Sequence, residues 1–126
     1  MYIKRQLTSE LELFKDLHLR RFVKKRLTMR HRVTVGIGGN VGDARRRFVR
    51  LYSFMSKSSL VELEKISAVL KNPPFGFLKQ DFFFNAVIVL RTNLQPRDML
   101  AYLMRVETKF ARKRSFANAP RTLDLD

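Results

Sequence analysis

The sequence predicts an α+β domain whose strands and helices follow one another in the order β-α-β-β-α-β. Candidate strands lie at 33–37, 63–70, 82–90 and 123–126, and the first and third of these segments are rich in β-branched or aromatic residues. Between the first two, and again between the last two, apolar residues recur at helical spacing. At 126 residues the chain is long enough for one such domain with a modest core.

The first strand and the first helix are separated by a glycine-rich turn. Residues 33–37 alternate and are β-branched, and Gly38-Gly39-Asn40 ends the strand. Asp43 is placed to cap the helix that follows, because a carboxylate accepts hydrogen bonds from the first free amides. The apolar stripe predicted to be buried on this helix consists of Phe48, Leu51, Tyr52 and Met55.

The remaining elements complete the domain. Residues 72–76 contain two prolines and are predicted to form a loop, since proline cannot donate to a strand ladder. Residues 82–90 are apolar on both faces, which predicts a central strand. Pro96 suits the first position of the second helix. Its predicted buried stripe is Met99, Leu100, Leu103, Val106 and Phe110. This order is ferredoxin-like, with an antiparallel sheet and helices on one face, and that topology hosts many functions.

A basic extension, residues 1–31, precedes the α+β domain at 32–126. Ser9 and Glu12 form a capping-box pattern, and apolar residues follow at roughly helical spacing. An amphipathic helix is therefore predicted. It could pack on the domain, on a partner chain or on a membrane surface, and packing on protein is favoured.

The charge balance restricts the partners of the chain. Lys and Arg number 26 against 11 Asp and Glu, a net charge of +15, which attracts polyanions such as nucleic acid, anionic membrane or a nucleoside polyphosphate. No apolar run of about 18 residues predicts a membrane-spanning helix. Cysteine is absent, which excludes disulfides and fits a cytoplasmic protein. His18 and His31 are expected at the surface.

Two aspartates near the end of the chain carry the clearest chemistry. Asp124 and Asp126 are two apart in a predicted strand and so point to the same face, while Leu123 and Leu125 point into a core. Adjacent carboxylates repel unless a cation or a proton lies between them, and oxygen ligands beside a phosphate suit Mg²⁺. The alternative is an edge strand protected by outward-facing acids.

Two further polar residues lie in apolar surroundings. Asn85 interrupts an apolar strand, and a buried amide needs partners, which a ligand or a neighbouring loop backbone could supply. Glu107 shares a helix face with Leu100 and Leu103, so it could snorkel, pair with an arginine or face a pocket. The Gly36-x-Gly38 run lacks the third glycine of a dinucleotide fingerprint, so the glycines are not expected to cradle phosphates.

Five motifs together resemble the 6-hydroxymethyl-7,8-dihydropterin pyrophosphokinase family. Residues 119–126, Ala-Pro-Arg-Thr-Leu-Asp-Leu-Asp, resemble its acidic signature, and residues 112–114, Arg-Lys-Arg, with Glu107 before them, resemble its ATP-binding loop. Residues 36–43 are similar to its first strand and turn, 73–76 to its pterin loop and 84–87 to its Asn-Ala strand. The motifs occur in the family's order from about residue 33 to residue 126.

The resemblance implies transfer of pyrophosphate from ATP to a reduced pterin in folate biosynthesis, with AMP released. Asp124 and Asp126 would bind two Mg²⁺ ions that bridge the ATP phosphates. Arg112 and Arg121 would neutralise phosphate charge during catalysis, with help from Arg114.

The resemblance also implies the two binding pockets. Asn85 would hydrogen-bond the polar edge of the pterin, with Phe83 beside it, and Glu107 would face the nucleotide. The residues implied to bind or hold the pterin are Asn40, Asn72, Pro73, Phe75, Phe83 and Asn85.

The chain departs from the family pattern at its end. Family members usually continue past the acidic signature, so the C-terminal part of the family domain is expected to be absent here. Two alternatives follow from the sequence: a basic ferredoxin-like module that binds nucleic acid, and a shortened, inactive relative. Oligomeric state and the role of the extension are not predicted.

Overall fold

The computed structural model describes residues 2–8, 11–73, 82–110 and 123–126. The strands are β1 (Tyr2–Gln6), β2 (Glu12–Asp16), β3 (His31–Gly39), β4 (Val61–Ile66), β5 (Val69–Asn72), β6 (Phe83–Thr92) and β7 (Asp124–Leu125). The α-helices are α1 (Ala44–Ser56) and α2 (Pro96–Lys109), and a 3₁₀ helix spans Leu17–Phe22. From β3 onwards the described elements follow the order β-α-β-β-β-α-β.

All described strands join one antiparallel sheet in the order β1-β2-β5-β6-β3-β7, with β4 also paired to β6. The long strand β6 lies at its centre, as predicted for residues 82–90. β5 pairs with the first part of β6 and β4 with its last part, so the two strands lie end to end along one side of β6.

The predicted second strand, 63–70, is interrupted at Ser67. Its backbone N–H donates to the carbonyl of Val87 at 2.9 Å, and its hydroxyl oxygen accepts the Val87 N–H at 2.8 Å. Both backbone groups of Val87 are therefore satisfied where the strand breaks, which removes the penalty that an open ladder position would carry. Asn72, predicted in the following loop, is the last residue of β5.

Both α-helices contribute to one hydrophobic core on one face of the sheet. The strand residues on this face are Val35, Ile37, Leu63, Ala86, Ile88, Leu90 and Leu125. Asp43 caps α1 through a hydrogen bond from the Arg46 amide at 3.1 Å, and the four residues of its predicted stripe are buried. On α2, Met99, Leu103 and Val106 are buried, but Leu100 is 60% exposed, so its predicted burial is wrong. The core-facing stripe of α2 is narrower than the sequence spacing suggested.

The predicted N-terminal amphipathic helix is wrong, because β1 and β2 form a hairpin instead. β2 pairs with β5 in the register Glu12↔Lys71, Leu13↔Leu70 and Phe14↔Val69. Glu12 of the capping-box pattern therefore lies in a strand, and Ser9 lies outside the described residues. Pairing with an exposed strand edge satisfies backbone groups that a short helix would leave open, and so overrides the local helical spacing.

No helix in the described part of the chain is long and apolar enough to cross a membrane.

Candidate active site

A pocket of about 270 Å³ lies on the face of the sheet opposite the core. Its lining residues come from β3, β6 and the end of the chain: Gly36, Ile37, Gly38, Phe83, Asn85, Ala86, Val87, Asp124 and Asp126. The pocket thus brings together two residues that the resemblance gives to a pterin and the two that it gives to metal ions.

Strand register explains why these residues meet. Gly38 pairs with Asn85 on one side and with Asp124 on the other. Paired residues in an antiparallel sheet point to the same face, so Asn85 and Asp124 stand on either side of Gly38. Gly36 exchanges two backbone hydrogen bonds with Asp126, at 2.7 and 2.9 Å, which places Asp126 on that same face.

The two glycines of β3 form the floor of the pocket. Because positions 36 and 38 carry no side chain, they leave a trough between the side chains of β6 and those of β7. At Gly38 the space is already filled, since a Cβ there would lie 2.8 Å from Asn85 Oδ1. At Gly36 a Cβ would meet only the Asp126 carbonyl, at an ordinary 3.7 Å.

The carboxylates lie on a short strand that is held between β3 and α2. Leu123 and Leu125 are buried in the core, and Asp124 and Asp126 line the pocket, so the predicted division of this strand into two faces is confirmed. Asp124 is only 7% exposed, whereas Asp126 is exposed. With a rise of about 3.3 Å per residue, their Cα atoms lie roughly 6.6 Å apart along the strand.

Glu107 binds the backbone of β7. Its Oε1 accepts the Leu125 N–H at 2.6 Å. Because Leu125 lies between the two aspartates, this bond from α2 fixes the strand that presents them. This contact with the strand backbone was not among the uses that the sequence left open for Glu107.

Asn85 takes part in a short chain of side-chain hydrogen bonds. Its Nδ2 donates to Asn72 Oδ1 at 2.7 Å, and Asn72 Nδ2 donates to the carbonyl of Pro73 at 3.1 Å. Asn85 is exposed among the described residues, so its predicted burial is wrong, and its partner is a side chain and not a loop backbone. Within the described part of the chain, this bond orients the amide, and the amide's carbonyl oxygen and second N–H make no further hydrogen bond.

The other predicted site residues divide into two groups. Phe83 is half-buried and lines the pocket, and Asn40 is 3% exposed directly after β3. Asn72 and Pro73 are half-buried at the end of β5. The predicted residues that lie outside the described part of the chain are Phe75, Arg112, Arg114 and Arg121.

Five residues that line the pocket were not predicted as site residues: Gly36, Ile37, Gly38, Ala86 and Val87. Val87 is 44% exposed at the rim, and Gly36 forms part of the floor. A sequence pattern that indicates Gly36 was present, because large side chains alternate with glycine in Val35-Gly36-Ile37-Gly38. Such alternation in a strand indicates one packed face and one open face.

The donor atoms suit a hard cation. Within the described ranges no group of three or more His, Cys, Asp or Glu side chains could hold a metal by itself. Two carboxylates that share a pocket fit Mg²⁺, which binds through one or two carboxylates and takes its other ligands from water and substrate phosphates. Both carboxylates line the same pocket as the two glycines.

The fold and the pocket together define a small α+β domain with a candidate site for a metal ion and a polar ligand. Residues 34–126 match the sequence profile of the family described as 7,8-dihydro-6-hydroxymethylpterin-pyrophosphokinase (HPPK). This match spans more than half of the chain, and the chain therefore belongs to that family.

Individual relatives agree with the family match. Three of them are named 2-amino-4-hydroxy-6-hydroxymethyldihydropteridine pyrophosphokinase. The Campylobacter jejuni protein is 44% identical over 92 residues, or 73% of this chain. The Helicobacter pylori protein is 38% identical over 105 residues, or 82% of the chain, and the Aquifex aeolicus protein is 36% identical over 94 residues, or 75%. The matches cover 59%, 64% and 58% of these relatives, so the chain spans about three fifths of their length.

Proposed function

We propose that the chain transfers pyrophosphate from ATP to 6-hydroxymethyl-7,8-dihydropterin in folate biosynthesis. The observation that carries the proposal is the single pocket in which Phe83 and Asn85 face Asp124 and Asp126. A pterin bound at the amide would place its hydroxymethyl group towards the carboxylates across a glycine floor. The names of the relatives agree with this reaction.

In the proposed reaction the pterin hydroxyl oxygen forms a bond to the β-phosphorus of ATP. The bond from that phosphorus to the oxygen of the α-phosphate breaks, AMP leaves, and the hydroxyl proton passes to solvent. Such transfer depends on in-line positioning and on neutralised charge more than on covalent catalysis.

The residues of the pocket would share this work. Asn85 would present one N–H and one carbonyl oxygen to the polar edge of the pterin, held in place by Asn72. Asp124 and Asp126 would hold two Mg²⁺ ions, which supply charge neutralisation and orientation of the phosphates when bound. The arginines at 112, 114 and 121 are proposed to bind the phosphates, since a guanidinium matches phosphate geometry.

We also propose that the domain is a ferredoxin-like fold in which β4 and β5 represent one interrupted strand. Counted in this way, the elements from β3 onwards follow the order β-α-β-β-α-β, and the hairpin β1–β2 is an addition at the β5 side. Cytoplasmic location remains a prediction from the sequence.

Calorimetry of a non-hydrolysable ATP analogue, with and without Mg²⁺, tests the proposal. Wild type should bind only with Mg²⁺, and Asp124→Ala should abolish that binding. Asp98→Ala is the matched control, because Asp98 is an exposed carboxylate in the first turn of α2. A turnover assay that measures AMP formed only when the pterin is added completes the test.

The outcomes separate the alternatives. A folded wild type that binds no nucleotide would support the inactive relative. Binding of nucleic acid that weakens steeply with salt and ignores Mg²⁺, without nucleotide binding, would support the nucleic-acid module. Equal loss of nucleotide binding in Asp124→Ala and Asp98→Ala would contradict the assignment of the metal site.

A further inference from the structure

We propose that the N-terminal hairpin, β1 and β2, positions the pterin-binding amides, and that Phe14 is its anchor. The proposal rests on the proposed function for its ligand. The matched family profile begins at residue 34, so the hairpin lies outside it. A segment attached to the sheet beside the site is then a feature of this chain and not of the family profile.

The hairpin acts on β5, the strand that ends at Asn72. β5 has only four residues and lies between β2 and β6. The register Glu12↔Lys71 brings β2 to the residue directly before Asn72. Without β2, this short strand would form an unprotected edge, and a strand of that length has little stability of its own.

Asn72 is the link to the pocket. Its Oδ1 accepts the hydrogen bond from Asn85 at 2.7 Å, and its own amide is oriented by the Pro73 carbonyl at 3.1 Å. A displacement of β5 would therefore move Asn72 Oδ1 and release the Asn85 amide. Rotation of the Asn85 amide exchanges the positions of its NH₂ donor and its carbonyl acceptor. Loss of this bond would therefore weaken recognition of a ligand that needs both groups in fixed places.

Phe14 holds the hairpin to two elements of the domain. Its ring centroid lies 6.2 Å from that of Phe84, the residue before Asn85, with the ring planes tilted by 46°. The guanidinium carbon of Arg45, on α1, lies 4.3 Å from the centroid of the Phe14 ring. Aromatic and cation–π contacts of this kind stabilise the packing of one element on another. Phe14 thus joins β2 to the strand that carries the pterin amide.

A purely structural role for Phe14 makes a different prediction from a positioning role. A structural role would lower stability and reduce all functions together. If Phe14 has a positioning role, its replacement changes the NMR signal of the Asn85 amide and the pterin KM. The same replacement has no further effect on either when Asn72 is already replaced. A double-mutant cycle between Phe14 and Asn72 therefore distinguishes the two.

The experiment compares Phe14→Ala, Asn72→Ala and the double variant with wild type. Phe14→Tyr keeps the ring and should restore wild-type behaviour, and Ile3→Ala is the matched control, since Ile3 is an apolar β1 residue that is 45% exposed. The first measurement is the NMR signal of the Asn85 side-chain amide in ligand-free protein, which does not depend on turnover. The second is KM for the pterin and for ATP.

The expected results follow from the chain of contacts. Phe14→Ala should shift or broaden the Asn85 amide signal towards its appearance in Asn72→Ala. It should raise the pterin KM about tenfold, leaving kcat and the ATP KM within about twofold. In the Asn72→Ala background, Phe14→Ala should raise the pterin KM by less than about twofold. If Phe14→Ala does not fold, Phe14→Leu is used instead. The same shift of the Asn85 amide signal and the same rise in the pterin KM are then expected, each smaller.

Two results would overturn the proposal. One is an unchanged Asn85 amide signal in folded Phe14→Ala or Phe14→Leu, and the other is an equal rise in the pterin KM on replacing Phe14 with and without Asn72 present. If the Asn85 amide signal responds to Phe14 and Asn72 as expected but wild type does not turn over the pterin, the proposed function is contradicted. The positioning role of the hairpin then still stands.

Discussion

Replacing Gly38 with alanine should damage ligand recognition much more than folding. The new Cβ would lie 2.8 Å from Asn85 Oδ1, about 0.6 Å short of the 3.4 Å at which ordinary contact begins. The Asn85 oxygen is the end of a rotatable side chain and can yield at a cost of about 0.5–1.5 kcal/mol. Alanine also suits a strand better than glycine by about 0.5–1 kcal/mol. The free energy of unfolding should therefore change by less than about 1 kcal/mol.

The displaced amide should lose its hydrogen bond to Asn72 and its alignment with a ligand. Loss of one or two ligand hydrogen bonds, at about 0.5–1.5 kcal/mol each, corresponds to a rise of about tenfold in the pterin dissociation constant. Calorimetric pterin binding and urea unfolding of the same samples measure the two effects. Gly36→Ala is the steric comparison, because its Cβ would meet only a carbonyl at 3.7 Å and should leave the Asn85 amide in place.

A double variant decides whether the effect passes through Asn85. If it does, Gly38→Ala should add little to Asn85→Ala, since the displaced amide is already gone. The reasoning would be refuted if Gly38→Ala weakened pterin binding as strongly in the Asn85→Ala background as in wild type, or if it unfolded the protein.

Three further predictions concern buried polar groups. The Tyr52 hydroxyl is buried and, within the described residues, has no hydrogen-bond partner; burial raises its pKa above the ordinary 10. Stability should therefore fall as the pH rises above 10, and Tyr52→Phe should reduce that fall in alkaline urea titrations and raise the free energy of unfolding at neutral pH by about 1 kcal/mol. Hydrogen bonds, first from the Met29 amide, lower the pKa of Glu62 below 4.5. Stability should therefore be lost as the pH falls below 4.5, and less so in Glu62→Gln, which unfolding measured between pH 3 and 6 checks. Glu107→Ala should speed hydrogen exchange of the Leu125 amide about tenfold or more, whereas Glu107→Gln, which keeps an acceptor oxygen, should have a smaller effect; equal exchange in both would contradict the contact.

The parts of the fold that depend on local signals were predictable from the sequence. The cap at Asp43, the stripe of α1 and the start of α2 at Pro96 are set by residues within a few positions of one another. The facing of Asp124 and Asp126 away from the core followed from strand periodicity alone.

The parts that depend on distant partners were not predictable in this way. Residues 7–18 carry roughly helical spacing, but pairing with β1 and β5 makes residues 12–16 a strand. The break at Ser67 depends on a hydroxyl that replaces a ladder bond to Val87, which no local pattern reveals. The candidate site residues were predicted from the family resemblance. That Asn85, Asp124 and Asp126 line one pocket depends on the register of β3 with its two neighbouring strands, which comes from tertiary structure.

The glycines of β3 show why this site differs from a phosphate-binding glycine loop. A glycine cradle offers free backbone N–H groups to an anion, whereas the Gly36 N–H already donates to the Asp126 carbonyl at 2.7 Å. What the glycines provide is space: Gly38 accommodates the Asn85 amide, and Gly36 leaves the open face without a side chain, while Val35 and Ile37 pack the core from the other face. Under the proposed function, phosphate charge at this pocket would therefore be balanced by basic side chains and by cations that the paired carboxylates hold.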